Sequence, residues 1–147
     1  YREVITPKSA VRKYIFTGFM KSYYVENKFD STTEQDFAFI LENESKVLKW
    51  LRPVTNQFSI YWGNGAHKYE PDFIVETEDS IYMIETKKAK DVTDDDVQAK
   101  KDAAQEYCKY ATEYNIQNGG KPWQYILLPH DSVDRTCSFD FLMAHKA

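Results

Sequence analysis

Residues 69–88, YEPDFIVETEDSIYMIETKK, decide how the rest of the chain is read. Two runs rich in β-branched and aromatic residues, 72–77 (DFIVET) and 80–87 (SIYMIETK), are separated only by the polar pair Glu78-Asp79. That pattern predicts a β-hairpin. With a two-residue loop Thr77 faces Ser80, and counting outward sets Asp72 opposite Glu85. Directly opposed residues stand about 4.5–5.5 Å apart and point to one side of the sheet. Lys87, two residues past Glu85, emerges on that side as well. Ile74, Ile81 and Met83 share this face nearer the turn and supply core. A slip of one residue would send Glu85 to the opposite face, so the register carries the site.

Two carboxylates that close repel, and one of them would ordinarily take up a proton. A divalent cation between them removes that cost, and hard oxygen ligands suit magnesium, with manganese as a substitute. Such an ion lowers the pKa of a bound water and offsets charge building up on a phosphate. The Lys87 ammonium can then hold or polarise the attacking water and the scissile phosphate.

The 147 residues make one domain with room for a sizeable core. Hydrophobic content of 42% with 16% aromatic residues excludes a disordered chain. The chain opens on Tyr1 in mid-pattern and reads as a piece of a longer protein. No apolar run approaches the roughly 18 residues a membrane span needs, so no membrane partner is expected. Cys108 and Cys137 are too few for a disulfide framework, which points to a reducing, cytoplasmic setting. His67, His130 and His145 lack zinc-site spacing. The formal net charge of −4 is unusual for a free-standing DNA binder, since phosphate contacts dominate affinity. Either nucleic acid is not the partner, or another region supplies most of the grip.

Along the chain, the basic and aromatic residues 1–25 predict short strands at 11–19 and 23–25 around Gly18. They read as a solvated edge hairpin in preference to a nucleic-acid-facing arm with Tyr14, Phe16 and Tyr23 for stacking. Asp30-Ser31-Thr32-Thr33-Glu34 opens a helix, with Ser31 as N-cap and Glu34 completing a capping box. Phe37, Ala38, Leu41, Val47 and Leu48 continue it at helical spacing, and Leu51-Arg52-Pro53 ends it. Glu34 heads the buried stripe, either as a cap alone or also as a third carboxylate aimed at the hairpin mouth. Asp30 competes with it one turn earlier, and Asp36 points off the stripe into solvent.

Residues 57–62 (QFSIYW) alternate as a strand, and Gly63-Asn64-Gly65 turns the chain toward the central hairpin. These three strands predict an antiparallel meander. Thr93 or Asp94 caps a second helix that runs to about residue 113, with a stripe of Val97, Lys101, Ala104, Cys108 and Ala111. Lys101 stands where an apolar residue is expected, as a snorkelling stem or, less commonly, as a cation offered to a phosphate. After the break Asn118-Gly119-Gly120-Lys121-Pro122, residues 123–128 (WQYILL) form a strand suited to burial on both faces. It follows a helix crossover and therefore lies parallel to the Glu85 strand. A short helix through Phe139, Phe141, Leu142 and Met143 closes the chain.

The fold class is therefore α/β: a mixed sheet of antiparallel meander plus one parallel strand, flanked by helices. Pro71-Asp72 followed by Glu85-Thr86-Lys87 resembles the PD-(D/E)XK nuclease motif of the restriction-endonuclease-like fold. The segments FDSTTEQDFAFILE, KWLRP, YEPDFIVET, IETKK, the Lys100-Lys101 helix and KPWQYILLP look like the C-terminal nuclease-like domain of type III restriction-enzyme subunits and their superfamily 2 helicase relatives.

The resemblance implies that Asp72 and Glu85 hold magnesium, with the Thr86 carbonyl as a further ligand, and that Lys87 positions or activates the water. Glu34 would match the first-helix acid that contacts a ligand water or second ion, and Lys101 a second-helix residue that contributes in some branches, here as a DNA contact. It implies in-line phosphodiester hydrolysis in DNA. It also implies an ATP-driven helicase region in the same polypeptide and leaves room for a modification or specificity subunit. The alternative is a catalytically idle DNA-binding or protein-docking domain, which the acidic charge favours. A third reading, an Asp72–Lys87 surface ion pair worth little, leaves Glu85 and Glu34 without a reason.

Overall fold

A computed structural model describes residues 8–63 and 65–146. The first seven residues of the basic N-terminal segment, and Asn64 of the expected turn, lie outside the described residues. The elements run α1 (Thr32–Asn43), β1 (Val47–Leu51), β2 (Ile60–Trp62), β3 (His67–Tyr69), β4 (Phe73–Thr77), β5 (Ile81–Lys87), α2 (Asp95–Gln117), β6 (Trp123–Pro129) and α3 (Phe139–Ala144). The main sheet has the order β1-β4-β5-β6. Its first three strands are antiparallel, and β6 returns through α2 to lie parallel to β5.

The central hairpin has the expected offset: Phe73 pairs with Ile84, Ile74 with Met83, Val75 with Tyr82 and Glu76 with Ile81. Glu-Asp is not a favoured two-residue turn, and the flanking residues compensate. Thr77 N donates to Ser80 O at 2.9 Å, and Ser80 N donates back to Thr77 Oγ1 at 3.2 Å. Lys121 Nζ reaches Thr77 O at 2.8 Å and the Glu76 carboxylate at 3.0 Å.

Alternation along these strands divides the core in two. Phe73, Val75 and Ile84 face α1 and α3, where they meet Phe37, Leu41, Trp50, Ile126, Leu128 and Leu142. Ile74 and Met83 face the other way, against Ala104 and Cys108 of α2 and Ile60 and Tyr69 of the β2–β3 hairpin. Ile126, Leu127 and Leu128 are all buried, as an unbroken apolar run in an α-covered strand requires. At the start of α1, Ser31 Oγ accepts from Glu34 N at 3.2 Å. The Glu34 carboxylate reaches back to the N–H of Asp30 at 2.7 Å, one residue before the cap.

Four expectations are corrected. Residues 47–51 are a strand, not the end of the first helix. A bulge between Val47 and Lys49 puts both Val47 and Trp50 into the core, so a strand takes on a three-residue apolar spacing. This strand fills the place beside β4 that residues 57–62 were expected to take. Only Ile60–Trp62 of that run is extended, and it pairs with β3 in a separate two-stranded sheet over α2. The N-terminal strands are absent among the described residues: Lys8–Lys13 is a 3₁₀ helix, followed by isolated bridges from Phe16 to Asn27 and Ser22 to Trp50. Phe16 is buried in the core and cannot stack on a ligand. Finally, Asp36 is not simply solvated; Arg135 Nε pairs with its carboxylate at 2.6 Å.

Phe73 is fully buried, with the rings of Phe29, Phe37 and Trp50 around it. Phe73→Ala is expected to cost about 3–5 kcal/mol in urea unfolding. Phe141→Ala, at a half-exposed position, is expected to cost far less. Equal losses at the two positions would contradict the packing described.

Candidate functional site

The ladder between β4 and β5 begins at Phe73 and Ile84, so Asp72 and Glu85 are the first residues beyond it at the open end of the hairpin. By alternation Glu85 lies on the α2 side, in line with Met83, while Asp72 sits at a bend just before β4. Asp72 Oδ2 accepts from Thr86 N at 2.9 Å and from Thr86 Oγ1 at 3.0 Å. Lys87 Nζ stands 3.6 Å from Glu85 Oε1. Glu85 Oε2 is buried and has no hydrogen-bond partner. Asp72, Glu85, Thr86 and Lys87 are thus brought together as the hairpin register requires.

Glu34 reaches the same place from α1 through an intermediary. Its Oε1 accepts from Arg52 Nη2 at 2.8 Å. Arg52 Nη1 in turn donates to the Asp72 main-chain oxygen at 3.1 Å and lies 4.0 Å from Asp72 Oδ1. Asp30, largely exposed, takes a longer contact from the same guanidinium at 3.2 Å. Lys101 is half-buried on α2. Lys100, its neighbour on α2, acts on Glu85 by its charge, and its ammonium lies 5.9 Å from the centre of the Trp62 ring.

Burial and the neighbouring charge of Asp72 push the Glu85 carboxyl up to about 8, against the opposing pull of Lys87 and Lys100. Burial, followed by Asp72, pushes Glu34 up to about 7 in spite of Arg52. Asp72 is raised by burial, with the Thr86 hydrogen bond and the Arg52 charge opposing. Beyond β6, His130 follows Pro129, the register partner of Lys87. Burial lowers its pKa, the Asp72 charge opposes this, and the ammoniums of Lys88 and Lys87 add to it.

Without a cation, this site holds protons near neutrality. Its donors are oxygens, and the buried Oε2 of Glu85 lacks a partner, so the residues fit a hard divalent ion. Among the described residues no group of three or more His, Cys, Asp or Glu is arranged to hold a metal. Asp72 and Glu85 are the two carboxylates that would hold such an ion. Arg52, Lys100 and His130 are the residues that sequence reasoning passed over. The signals were faint: a cation directly after an apolar run, a lysine beside the one already noted, and a histidine just past a strand.

Glu85 keeps its proton to a higher pH in the fold, about 8, than at its ordinary value of 4.5. Its contribution to stability is complete below about pH 4.5 and is lost as pH rises through about 8. Urea unfolding is expected to show stability falling across this window, with Glu85→Gln flattening the fall and raising stability at its upper end. Parallel profiles for the two proteins would show that Glu85 is not the group responsible. In comparisons with known proteins, no family model matches this chain, and no curated protein matches it.

Proposed function

We propose that this domain is a magnesium-dependent DNA endonuclease with a restriction-endonuclease-like core. The observation that carries this reading is the hairpin offset, which leaves Asp72, Glu85 and Lys87 together at one open end with a buried carboxylate oxygen unpartnered. The elements of the main sheet support the fold: a helix, three antiparallel strands with the β2–β3 hairpin inserted between the first two, a crossover helix and a parallel strand.

In this reading Asp72 and Glu85 hold the ion, and the Thr86 carbonyl is a further ligand. The bound ion supplies a water of lowered pKa and offsets phosphate charge. Thr86 fixes Asp72 by gripping Oδ2 with both its N–H and its hydroxyl. Lys87, half-buried and beside Glu85, orients the attacking water and steadies the scissile phosphate. The net charge of −4 favours a DNA grip supplied mostly by another region, for which an ATP-driven helicase segment of the same polypeptide is the proposed source. A modification or specificity subunit is a further proposed partner. The same acidic charge favours a second reading, an idle docking domain, which binds neither magnesium nor manganese.

Lys87→Ala and Asp72→Asn are each expected to lower magnesium-dependent cleavage by the whole polypeptide about a hundredfold or more, with circular dichroism unchanged. Undiminished cleavage by either variant would end the nuclease reading. Calorimetry with manganese separates it from the idle-domain reading: binding that Asp72→Asn abolishes counts for the nuclease, and no binding counts for the docking domain.

A further inference from the structure

Arg52 follows β1 directly, and its side chain is only 13% exposed, so its charge must be met from inside the protein. Its donors reach three separate parts of the chain. Nε donates to Lys28 O at 2.7 Å. Nη2 serves Glu34 Oε1 at 2.8 Å and Asp30 Oδ2 at 3.2 Å. Nη1 donates to Asp72 O at 3.1 Å. The guanidinium carbon also lies over the Phe29 and Phe73 rings, 5.7 and 5.5 Å from their centres. Only a planar fork of five fixed donors can make this set; an ammonium cannot.

The contact to Asp72 has a particular consequence. Asp72 stands one residue outside the β4 ladder, so strand pairing does not fix its main chain. Arg52 grips that main chain through its carbonyl, and Thr86 grips the side chain. Glu34, for its part, spends Oε1 on Arg52 and on the N–H of Asp30 together.

We propose that Arg52 is a positioning residue for the Asp72–Glu85 site, and that Glu34 acts on the site by holding Arg52 rather than by touching the ion. This rests on reading Asp72 and Glu85 as a cation site, and it does not depend on which reaction the site performs.

Manganese affinity measured by calorimetry tests the proposal, because charge and position predict opposite signs. On charge alone, removing a cation 4.0 Å from Asp72 Oδ1 would tighten manganese binding. Loss of positioning weakens it, and partners that orient a ligand typically contribute about 10–100-fold. Arg52→Gln is expected to weaken binding about tenfold. Arg52→Lys, which keeps the charge and loses the fork, is expected to remain weakened. Glu34→Gln keeps an acceptor for the Asp30 N–H, and it is expected to weaken binding in the wild-type background but not in the Arg52→Gln background.

Binding by a folded Arg52→Gln protein as tight as wild type, or tighter, overturns the proposal. If that variant does not fold, Arg52→Lys carries the test, and wild-type affinity in it has the same force. Equal losses from Glu34→Gln in both backgrounds overturn the part assigned to Glu34. Asp72→Asn serves as the reference: if it leaves manganese binding unchanged, the cation-site reading has failed, and this inference goes with it.

Discussion

The pairing offset between β4 and β5 is the constraint from which the rest of the structure follows. It is pinned at the turn, where Thr77 and Ser80 bond each other and Lys121, just before β6, binds the Thr77 carbonyl. With that end fixed, alternation determines the faces. Phe73, Val75 and Ile84 go to α1, and Ile74 and Met83 go to α2. At the far end the same count sets two acids side by side just where the ladder stops. There Asp72 lies near Arg52 and Glu85 near Lys87, while buried Leu127 of β6 pairs with Glu85.

The acids are kept at an energetic cost. Glu85 and Glu34 are both buried, and both have proton affinities raised toward neutrality. Three cations partly offset this from different directions: Arg52 after β1, Lys87 at the end of β5 and Lys100 on α2. The offset is incomplete, because Glu85 Oε2 still has no donor. Buried carboxylates held in this way are typical of sites built to meet a ligand and are poor stabilisers of a fold.

How much of this was legible in the sequence depended on the range over which each feature is encoded. The hairpin was readable because its period and its loop are local, and the register followed by counting. The α2–β6 crossover was readable from an unbroken apolar run after a helix and a glycine break. Strand β1 was not, because Val47 and Leu48 fall at helical spacing after Leu41, although in the fold Leu48 is exposed and Val47 and Trp50 are the buried residues. The two-stranded β2–β3 unit was mistaken for part of the main sheet because a short alternating run does not name its partner. Arg52 was visible as a residue but not as a hub, since its contacts are 18 to 24 residues distant in sequence. The Arg135–Asp36 pair spans 99 residues and left no local trace. The placement of Asp72, Glu85 and Lys87 at one end of the hairpin was legible by counting register, whereas the contact between Glu34 and Arg52 was not.

The bridge at Trp50 bears on how the molecule behaves in company. β1 is a border strand of the main sheet, and such a border is a template on which a second chain can add. Here the protein's own backbone occupies part of that template, at Trp50. Tyr23 N donates to Trp50 O at 2.8 Å, and Trp50 N donates to Lys21 O at 3.0 Å. The stretch before α1 therefore works as a selvedge, finishing the fabric of the sheet so that it does not knit to its neighbours. Shortening the chain past residues 21–23 would leave the Trp50 main-chain groups without these partners.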